Sequence, residues 1–371
     1  MCSIIPSPTI ANQQPNVTKD EAQSFITEVL REELPQCYPP NIPWINKIIQ
    51  AFHRRLPFQN ITFLSKTESC CVPSWKDIQR DILIEGKGGL CLSLNVAFAA
   101  VMRAFGVHAH LVPADYVATN GRSVHALIVF HLCTAVSQNA CKCFEVETRA
   151  SVQRLRSYRR SSRLKQKARN EAHCFQKVRS HHRSSLYVAD VGCGFPTLRA
   201  INLNEDIDKA FLDCGLEYCF TKKRQKYLRL HRTGDEVPKG EEDCVNPDGW
   251  RSVFSFALSP QPLSYFHKTM RSIYIDQMQS PYFTELHAVC YIDNFDMVAI
   301  KGTMISHDNC NECDQHCTHR KMVKCLKTVN GKVEKKSNEF EKSDIIIFIN
   351  KHFPMIPSHE VQKAVHHFLS S

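Results

Sequence analysis

Between Lys19 and Glu33 the apolar residues Phe25, Ile26, Val29 and Leu30 recur at helical spacing, which predicts an amphipathic helix. Pro39-Pro40 interrupts the pattern. It resumes over Ile42–Phe52 with Trp44, Ile45, Ile48, Ile49 and Phe52 apolar, and Pro57 ends it. Residues 75–85 predict a third helix, with Trp75, Ile78, Ile82 and Leu83 inward. Then comes Glu85-Gly86-Lys87-Gly88-Gly89-Leu90-Cys91, whose glycines permit a tight turn and close backbone approach. An apolar run of helical length follows, from Leu92 to Phe105, so Cys91 sits where a Gly-rich turn opens a buried helix. Beyond Gly106 the texture becomes strand-like. Val107–Val117 alternates, Asn120-Gly121 signals a hairpin, and Ser123–Leu132 reads as a buried strand. Leu186-Tyr187-Val188-Ala189-Asp190-Val191 is another strand, ending in Gly192-Cys193-Gly194. Helices lead and strands follow, so the class is α+β rather than a parallel α/β repeat, and there is no internal repeat.

Composition adds bounds. The 371 residues suggest two or three domains at about 150 residues each, and 43% hydrophobic with 23% charged residues excludes wholesale disorder. No run approaches the roughly 18 apolar residues of a membrane-spanning helix. Met1-Cys2-Ser3-Ile4-Ile5-Pro6 lacks a basic stretch followed by a long apolar one, so no secretory signal is expected and the location reads as cytoplasmic. In a reducing compartment the 18 cysteines are mostly free thiols. Cys310-Asn311-Glu312-Cys313-Asp314-Gln315-His316-Cys317-Thr318-His319 offers soft ligands for zinc. Zinc ribbons and fingers place their second ligand pair a dozen or more residues away, however, and a compact run like this also suits a hairpin loop. No metal is expected.

The net charge of +10 changes the picture only once it is located. Residues 134–185 hold 13 Lys and Arg against 3 Asp and Glu, so the remainder carries 34 of each sign and is neutral. Such a Ser-rich basic block repels itself and buries little apolar surface. It reads as a disordered or weakly helical surface insertion. Contact with nucleic acid or acidic partners, a nuclear-import address, a kinase target and a solvated loop without a partner all stay open for it.

The candidate chemistry lies in the neutral remainder. A helix N-terminus favours the thiolate form of a cysteine, because the helix dipole stabilises negative charge there. A catalytic cysteine also needs a base, and a third group to orient that base. His125 opens the strand after the Asn-Gly hairpin, and Asp190 ends the next strand just before a Gly-rich turn. Neighbouring antiparallel strands bring the two side by side. A carboxylate on one imidazole nitrogen then fixes the tautomer and leaves the other for Cys91. Taken singly, each residue has a plainer reading: an inert core cysteine, a structural strand histidine, a turn-forming aspartate.

Four short strings together resemble the arylamine N-acetyltransferase family. Lys87-Gly88-Gly89-Leu90-Cys91-Leu92-Ser93-Leu94-Asn95 is similar to that family's R-G-G-aromatic-C-x-E/Q-x-N around the nucleophile. His53-Arg54-Arg55-Leu56-Pro57-Phe58-Gln59-Asn60 is similar to its H-x-x-x-P-F-x-N. Asn120 to Val129 resembles its T-G-x-x-H-x-x-L-x-V, and Tyr187 to Gly194 its Y-x-V-D-V/A-G-F-G. Further on, Gln279-Ser280-Pro281-Tyr282-Phe283 resembles its T-S-P-x-S-x-F. The strings fall in the family's order over roughly 300 residues, excluding the N-terminal tail and the insertion.

The resemblance implies a helical bundle with the cysteine, a β-barrel with the histidine and aspartate, an α/β lid, and a papain-like Cys-His-Asp core. Its divisions would be a tail at 1–19, the bundle at 20–105, the barrel at 106–260 with the insertion at 134–185, an interdomain segment at 261–284 and the lid at 285–371. It implies a ping-pong reaction that moves acetyl from acetyl-CoA to an arylamine or hydrazine through a Cys91 thioester, with His125 and Asp190 completing the triad. It places Gly121, Arg122 and Tyr282 near CoA, and Phe58, Val124 and Cys193 around the acceptor. The departures are Lys87 for Arg, which loses a bidentate fork, Leu90 for an aromatic, Ser93 for Glu or Gln, and Cys193 for a Phe, which widens the acceptor pocket and removes a stacking surface. A thiol hydrolase or amidase with the same Cys-His-Asp order, and a retired scaffold binding through its basic insertion, are the rival readings.

Overall fold

The structure is a computed structural model that describes residues 14–66, 71–116, 124–133, 184–232, 248–278, 280–292, 296–304, 321–329, 332–338 and 340–370. The basic block up to residue 183, the Cys310–His319 cluster and the Asn120-Gly121 hairpin lie outside those residues.

Helix α1, Lys19–Ser24, starts on a capping box in which Thr18 accepts from the Glu21 amide and Glu21 reaches back. Over Phe25–Val29 it widens to π turns, with Leu30 N–H donating to Phe25 O, and the helical pattern stops there, short of the Glu33 expected from the sequence. α2, Ile42–Arg55, has Asn41 as its cap and buries Ile45, Ile48, Ile49 and Phe52, as their spacing predicts. Two elements that the sequence pattern does not announce follow Pro57: a two-residue strand β1, Phe58–Gln59, and a single helical turn α3, Ile61–Leu64. α4, Trp75–Ile78, runs on as π turns over Gln79–Ile84, and α5 is Cys91–Ala104. α5 is buried over twelve consecutive residues, Cys91 to Met102, so it is the central helix rather than a surface one.

The strands β2 (His108–Tyr116), β3 (Val124–Cys133), β4 (Ser184–Ala189), β5 (Ile201–Asn202), β6 (Ala210–Asp213), β7 (Leu216–Lys223), β8 (Lys226–Arg232) and β9 (Trp250–Phe256) form one antiparallel sheet. Its order is β5-β4-β3-β2-β9-β8-β7-β6, curled into a half-barrel. β3 reads as a continuous apolar run because both of its faces are covered. Ala126, Ile128 and Phe130 pack against the helices, while Leu127 and Val129 face the half-barrel core with Val112, Tyr218 and Phe254. β4 begins at Ser184, two residues inside the segment read as insertion.

A short connecting turn leads to α6, His267–Tyr274. The C-terminal sheet then comprises β10 (Leu286–Tyr291), β11 (Met297–Met304), β12 (Lys321–Val329) and β13 (Lys332–Asn338), with β1 added at its edge. Helices α7, Lys342–His352, and α8, Ser358–Ser370, cover it, burying Ile345, Ile349, Val361, Val365 and Phe368 against Ile61 and Leu64 of α3. Through β1 and α3, a few residues just upstream of the nucleophile turn are built into the C-terminal layer. Among the described residues no helix is long and apolar enough to cross a membrane.

Candidate active site

Three of the sequence strings meet in backbone contact. Gly89 N–H donates to Pro57 O and Gln59 N–H donates to Gly89 O, both at 3.1 Å, so the glycine turn and the His53–Asn60 string form one short parallel bridge. Gly88 makes this approach with φ of +76°, and a Cβ there would fall 2.0 Å from Pro57 O, which excludes other residues. Asn60 binds the third string. Its amide donates to Tyr282 O at 3.0 Å and Glu285 O at 2.7 Å, and its oxygen accepts from His287 N–H at 2.8 Å. Lys87, which lacks an arginine fork, is instead held by ion pairs to Glu85 and to Glu360 of α8, the latter at 2.8 Å. Burial disfavours its charge, yet the two carboxylates outweigh burial and raise its pKa.

This turn delivers Cys91 as the first residue of α5, buried and 8% exposed. The antiparallel register that pairs Ile128 with Ala189 puts Asp190 just past the end of β4, within reach of His125 at the start of β3. His125 Nε2 lies 2.9 Å from Asp190 Oδ2, and both side chains are sealed from solvent. Burial works against a charged imidazole here, but the Asp190 carboxylate, together with the Cys91 thiol, raises the His125 pKa well above its ordinary value. Burial likewise penalises the Asp190 carboxylate, and the His125 charge and hydrogen bond overcome that and hold its pKa low. His125 Nδ1 has no partner of ordinary hydrogen-bond geometry, while Cys91 acts on the same ring. The Cys91 thiol is thus close enough to interact with the His125 ring. The structure brings all three sequence-selected residues together.

Asn95, one turn into α5, organises this cluster, a role the sequence reading did not assign it. Its amide donates to Ala126 O at 2.7 Å and to Asp190 Oδ1 at 2.9 Å, and its oxygen accepts from Val191 N–H at 2.9 Å. It ties the nucleophile helix to both strands that supply the other two residues. The available signal was an Asn inside an apolar helical run, since a buried amide must find partners. Gly192 completes the joint. Its N–H donates to Asp190 Oδ1 at 3.1 Å, and a Cβ on it would lie 2.3 Å from Cys91 O. His53, from the upstream string, is buried close to Asp190, and burial pushes its pKa down to about 4.

Tyr116 and Phe254 flank the His125 ring at 5.5 and 5.6 Å. The Tyr116 hydroxyl is 3.6 Å from Cys193 Sγ, so the space expected to open at Cys193 is bordered by a phenol. Burial and the Asp190 charge push the Cys193 thiol pKa up. Phe58 is half-buried, with its ring 6.5 Å from that of Tyr282. Burial, and after it the charge of Cys91, raise the Tyr282 pKa. Gly121 and Arg122 lie outside the described residues, and Val124 is described only as the first residue of β3. Among the described residues no group of three or more His, Cys, Asp or Glu is arranged to hold a metal. A cavity of about 130 Å³ on the far side of the nucleophile turn is lined by Gln59, Phe63, Ile82, Leu90, Ser93 and Tyr274, and leaves out the Cys91–His125–Asp190 cluster.

A buried cysteine at a helix N-terminus, facing an imidazole oriented by a carboxylate, is suited to nucleophilic acyl chemistry. A family model described as N-acetyltransferase matches residues 41–140. No curated protein matches the chain by sequence. Among solved structures, the arylamine N-acetyltransferase from Salmonella typhimurium superposes with a TM-score of 0.61 at 13% identity, covering 94% of this chain and 99% of that one. The Mycobacterium marinum arylamine N-acetyltransferase in complex with CoA gives 0.59 at 10% identity, over 92% and 97%. Arylamine N-acetyltransferase C from Bacillus anthracis gives 0.57 at 14%, over 92% and 100%. At these identities the likeness is one of fold. The chain thus has the arylamine N-acetyltransferase fold and, through that fold and the match over residues 41–140, is recognised as resembling the arylamine N-acetyltransferase family.

Proposed function

We propose that the protein transfers an acetyl group from acetyl-CoA to an arylamine or hydrazine in two half-reactions at Cys91. The observation that supports this best is the buried His125 Nε2–Asp190 Oδ2 contact at 2.9 Å, which leaves Nδ1 free for proton exchange with Cys91. In the first half-reaction the Cys91 sulfur attacks the acetyl carbonyl. The bond to the CoA sulfur breaks, and the departing thiolate takes the proton that His125 received from Cys91. In the second, the amine nitrogen attacks the Cys91 thioester and its proton passes to His125. The amide leaves, and Cys91 and His125 return to their starting state. Asp190 orients the ring and stabilises its charged form without itself taking the proton. Backbone N–H groups of the first turn of α5 are the donors for the developing oxyanion.

In this reading acetyl-CoA is a substrate, as the CoA complex of the M. marinum neighbour suggests. Tyr282, with Gly121 and Arg122, serves the CoA side, and Phe58, Val124 and Cys193 serve the acceptor. The divisions at 20–105, 106–260, 261–284 and 285–371 and a cytoplasmic location belong to the same proposal. The test is intact mass after incubation with acetyl-CoA, then with aniline. One acetyl group is expected on the wild type, released by the amine as acetanilide, and none on Cys91→Ala. A folded wild type that stays unmodified with acetyl-CoA and other short acyl-CoAs refutes the proposal, and release of acetate without acetanilide identifies a thiol hydrolase instead.

A further inference from the structure

The half-barrel core contains an arginine that the chemistry above does not use. Arg229, on β8, is fully buried. Its three hydrogen bonds all go to neutral acceptors. Nε donates to His231 Nε2 at 2.9 Å, Nη2 donates to Pro196 O at 2.8 Å, and Nη1 donates to Thr197 Oγ1. The rings of Tyr218, Phe220 and Phe254 surround the guanidinium at 4.8, 5.9 and 5.9 Å. Phe254 is the same ring that lies against His125. Among the described residues no carboxylate forms an ion pair with Arg229, although its charge reaches Asp190 and helps hold that carboxyl's pKa low, and an apolar side chain of similar length would fill the site at lower cost. Stability alone therefore does not account for a guanidinium at this position.

What the fork holds does account for it. Pro196 and Thr197 lie in the middle of the turn 192–198, which leaves Asp190 and carries Cys193 to the triad. The turn is fastened elsewhere as well. Tyr291 Oη donates to Gly194 O at 3.2 Å, and Leu198 N–H donates to Asp213 Oδ2 at 3.0 Å. Between those points, among the described residues, the arginine reaches two successive residues, which a lysine with its single ammonium cannot do in the same geometry. His231 completes the arrangement as an acceptor, because burial and the Arg229 charge keep its ring neutral.

Taking the proposed acyl transfer as the reaction, we infer that Arg229 is a positioning residue: its guanidinium clamps Pro196 and Thr197 and so fixes the Cys193-bearing turn that walls the acceptor side of the site. The nucleophile itself is set by other contacts, through Asn95, Gly192 and the glycine turn. Loss of the clamp thus weighs more heavily on the second half-reaction than on the first.

The test compares wild type, Arg229→Met, Arg229→Lys and Thr197→Val, the last removing one clamp contact while keeping the side chain's volume, with folding of each variant checked by far-UV circular dichroism. Two quantities are read: iodoacetamide labelling of Cys193 by peptide mass mapping, and each half-reaction with acetyl-CoA and aniline. In wild type Cys193 is 3% exposed and is expected to resist labelling. Arg229→Met is expected to label Cys193 markedly faster than wild type and to raise the acceptor KM by up to about 100-fold, the effect of a displacement of about 1 Å near a site. Acetylation of Cys91 falls much less than transfer to the acceptor, its small loss reflecting the Arg229 charge that also acts on Asp190. Arg229→Lys and Thr197→Val fall between. Cys193 as protected in Arg229→Met as in wild type, or a parallel fall of both half-reactions with Cys193 still protected, overturns the inference. Failure of wild-type Cys91 to accept acetyl refutes the reaction proposed above but leaves the labelling result to decide on Arg229.

Discussion

Replacing Asn95 by Ala removes a side chain that ties the nucleophile helix to β3 and the carboxylate turn. Three hydrogen bonds disappear, to Ala126 O, to Asp190 Oδ1 and from Val191 N–H. The site is sealed, so water does not replace them. Each orphaned neutral group costs roughly 1 to 3 kcal/mol, and Asp190 keeps its contacts with His125 and Gly192 N–H. The expected loss is roughly 3 to 5 kcal/mol, a large share of the ~5–15 kcal/mol that stabilises a typical domain. Urea unfolding at neutral pH measures this loss, read as a fall in midpoint at unchanged slope. The rate of Cys91 alkylation by iodoacetamide, followed in parallel, should fall because Asp190, though still bonded to His125, has lost the Asn95 amide that fixes its position. A cycle with Asp190→Asn should show coupling of about 1 to 3 kcal/mol, as neighbours sharing a network do. A loss of less than about 1 kcal/mol with unchanged Cys91 alkylation would refute the view that Asn95 builds this site.

Three further outcomes follow from the same geometry. Gly192→Ala puts a methyl into the Cys91 carbonyl. The resulting backbone shift should cost acyl transfer about 100-fold, measured by single-turnover acetylation, with far-UV circular dichroism near that of wild type. Lys87→Met leaves Glu360 buried without its partner and should cost about 3 to 5 kcal/mol in denaturant unfolding, much of it restored in the Lys87→Met/Glu360→Met double variant. His53 binds its proton more weakly folded than unfolded, since burial takes its pKa from 6.5 to about 4. Its contribution to stability is therefore complete above pH 6.5 and is lost as pH falls through about 4. His53→Phe should flatten the fall of unfolding free energy across that window, by up to roughly 3 kcal/mol, and parallel curves for the two proteins would rule this out.

Read alone, the sequence determined the local elements and the residue types of the candidate chemistry. Apolar spacing announces α2 and α5, the glycine turn before Cys91 announces a helix start with a cysteine on it, and the strand pattern around His125 and before Asp190 announces two neighbouring strands. These are legible because they depend on periodicity and backbone freedom within about ten residues. The early end of α1 in π turns, the strand β1 and the turn α3 were not, because each is set by what packs on it. β1 exists only as the edge partner of β10, more than 200 residues away in the chain. The same holds for the polar contacts. That Lys87 finds Glu360, that Asn60 binds the turn at Tyr282, and that Asn95 is shared between Ala126, Asp190 and Val191 depends on which backbones come together. The buried Arg229 is the extreme case. In sequence it is one alternating position of the polar strand Lys226–Arg232, and only closure of the half-barrel around Tyr218, Phe220 and Phe254 turns it inward to hold the turn at Cys193. Hydrophobic period selects a face, but the partner across that face is chosen by tertiary packing, where desolvation makes each polar group's pairing decisive.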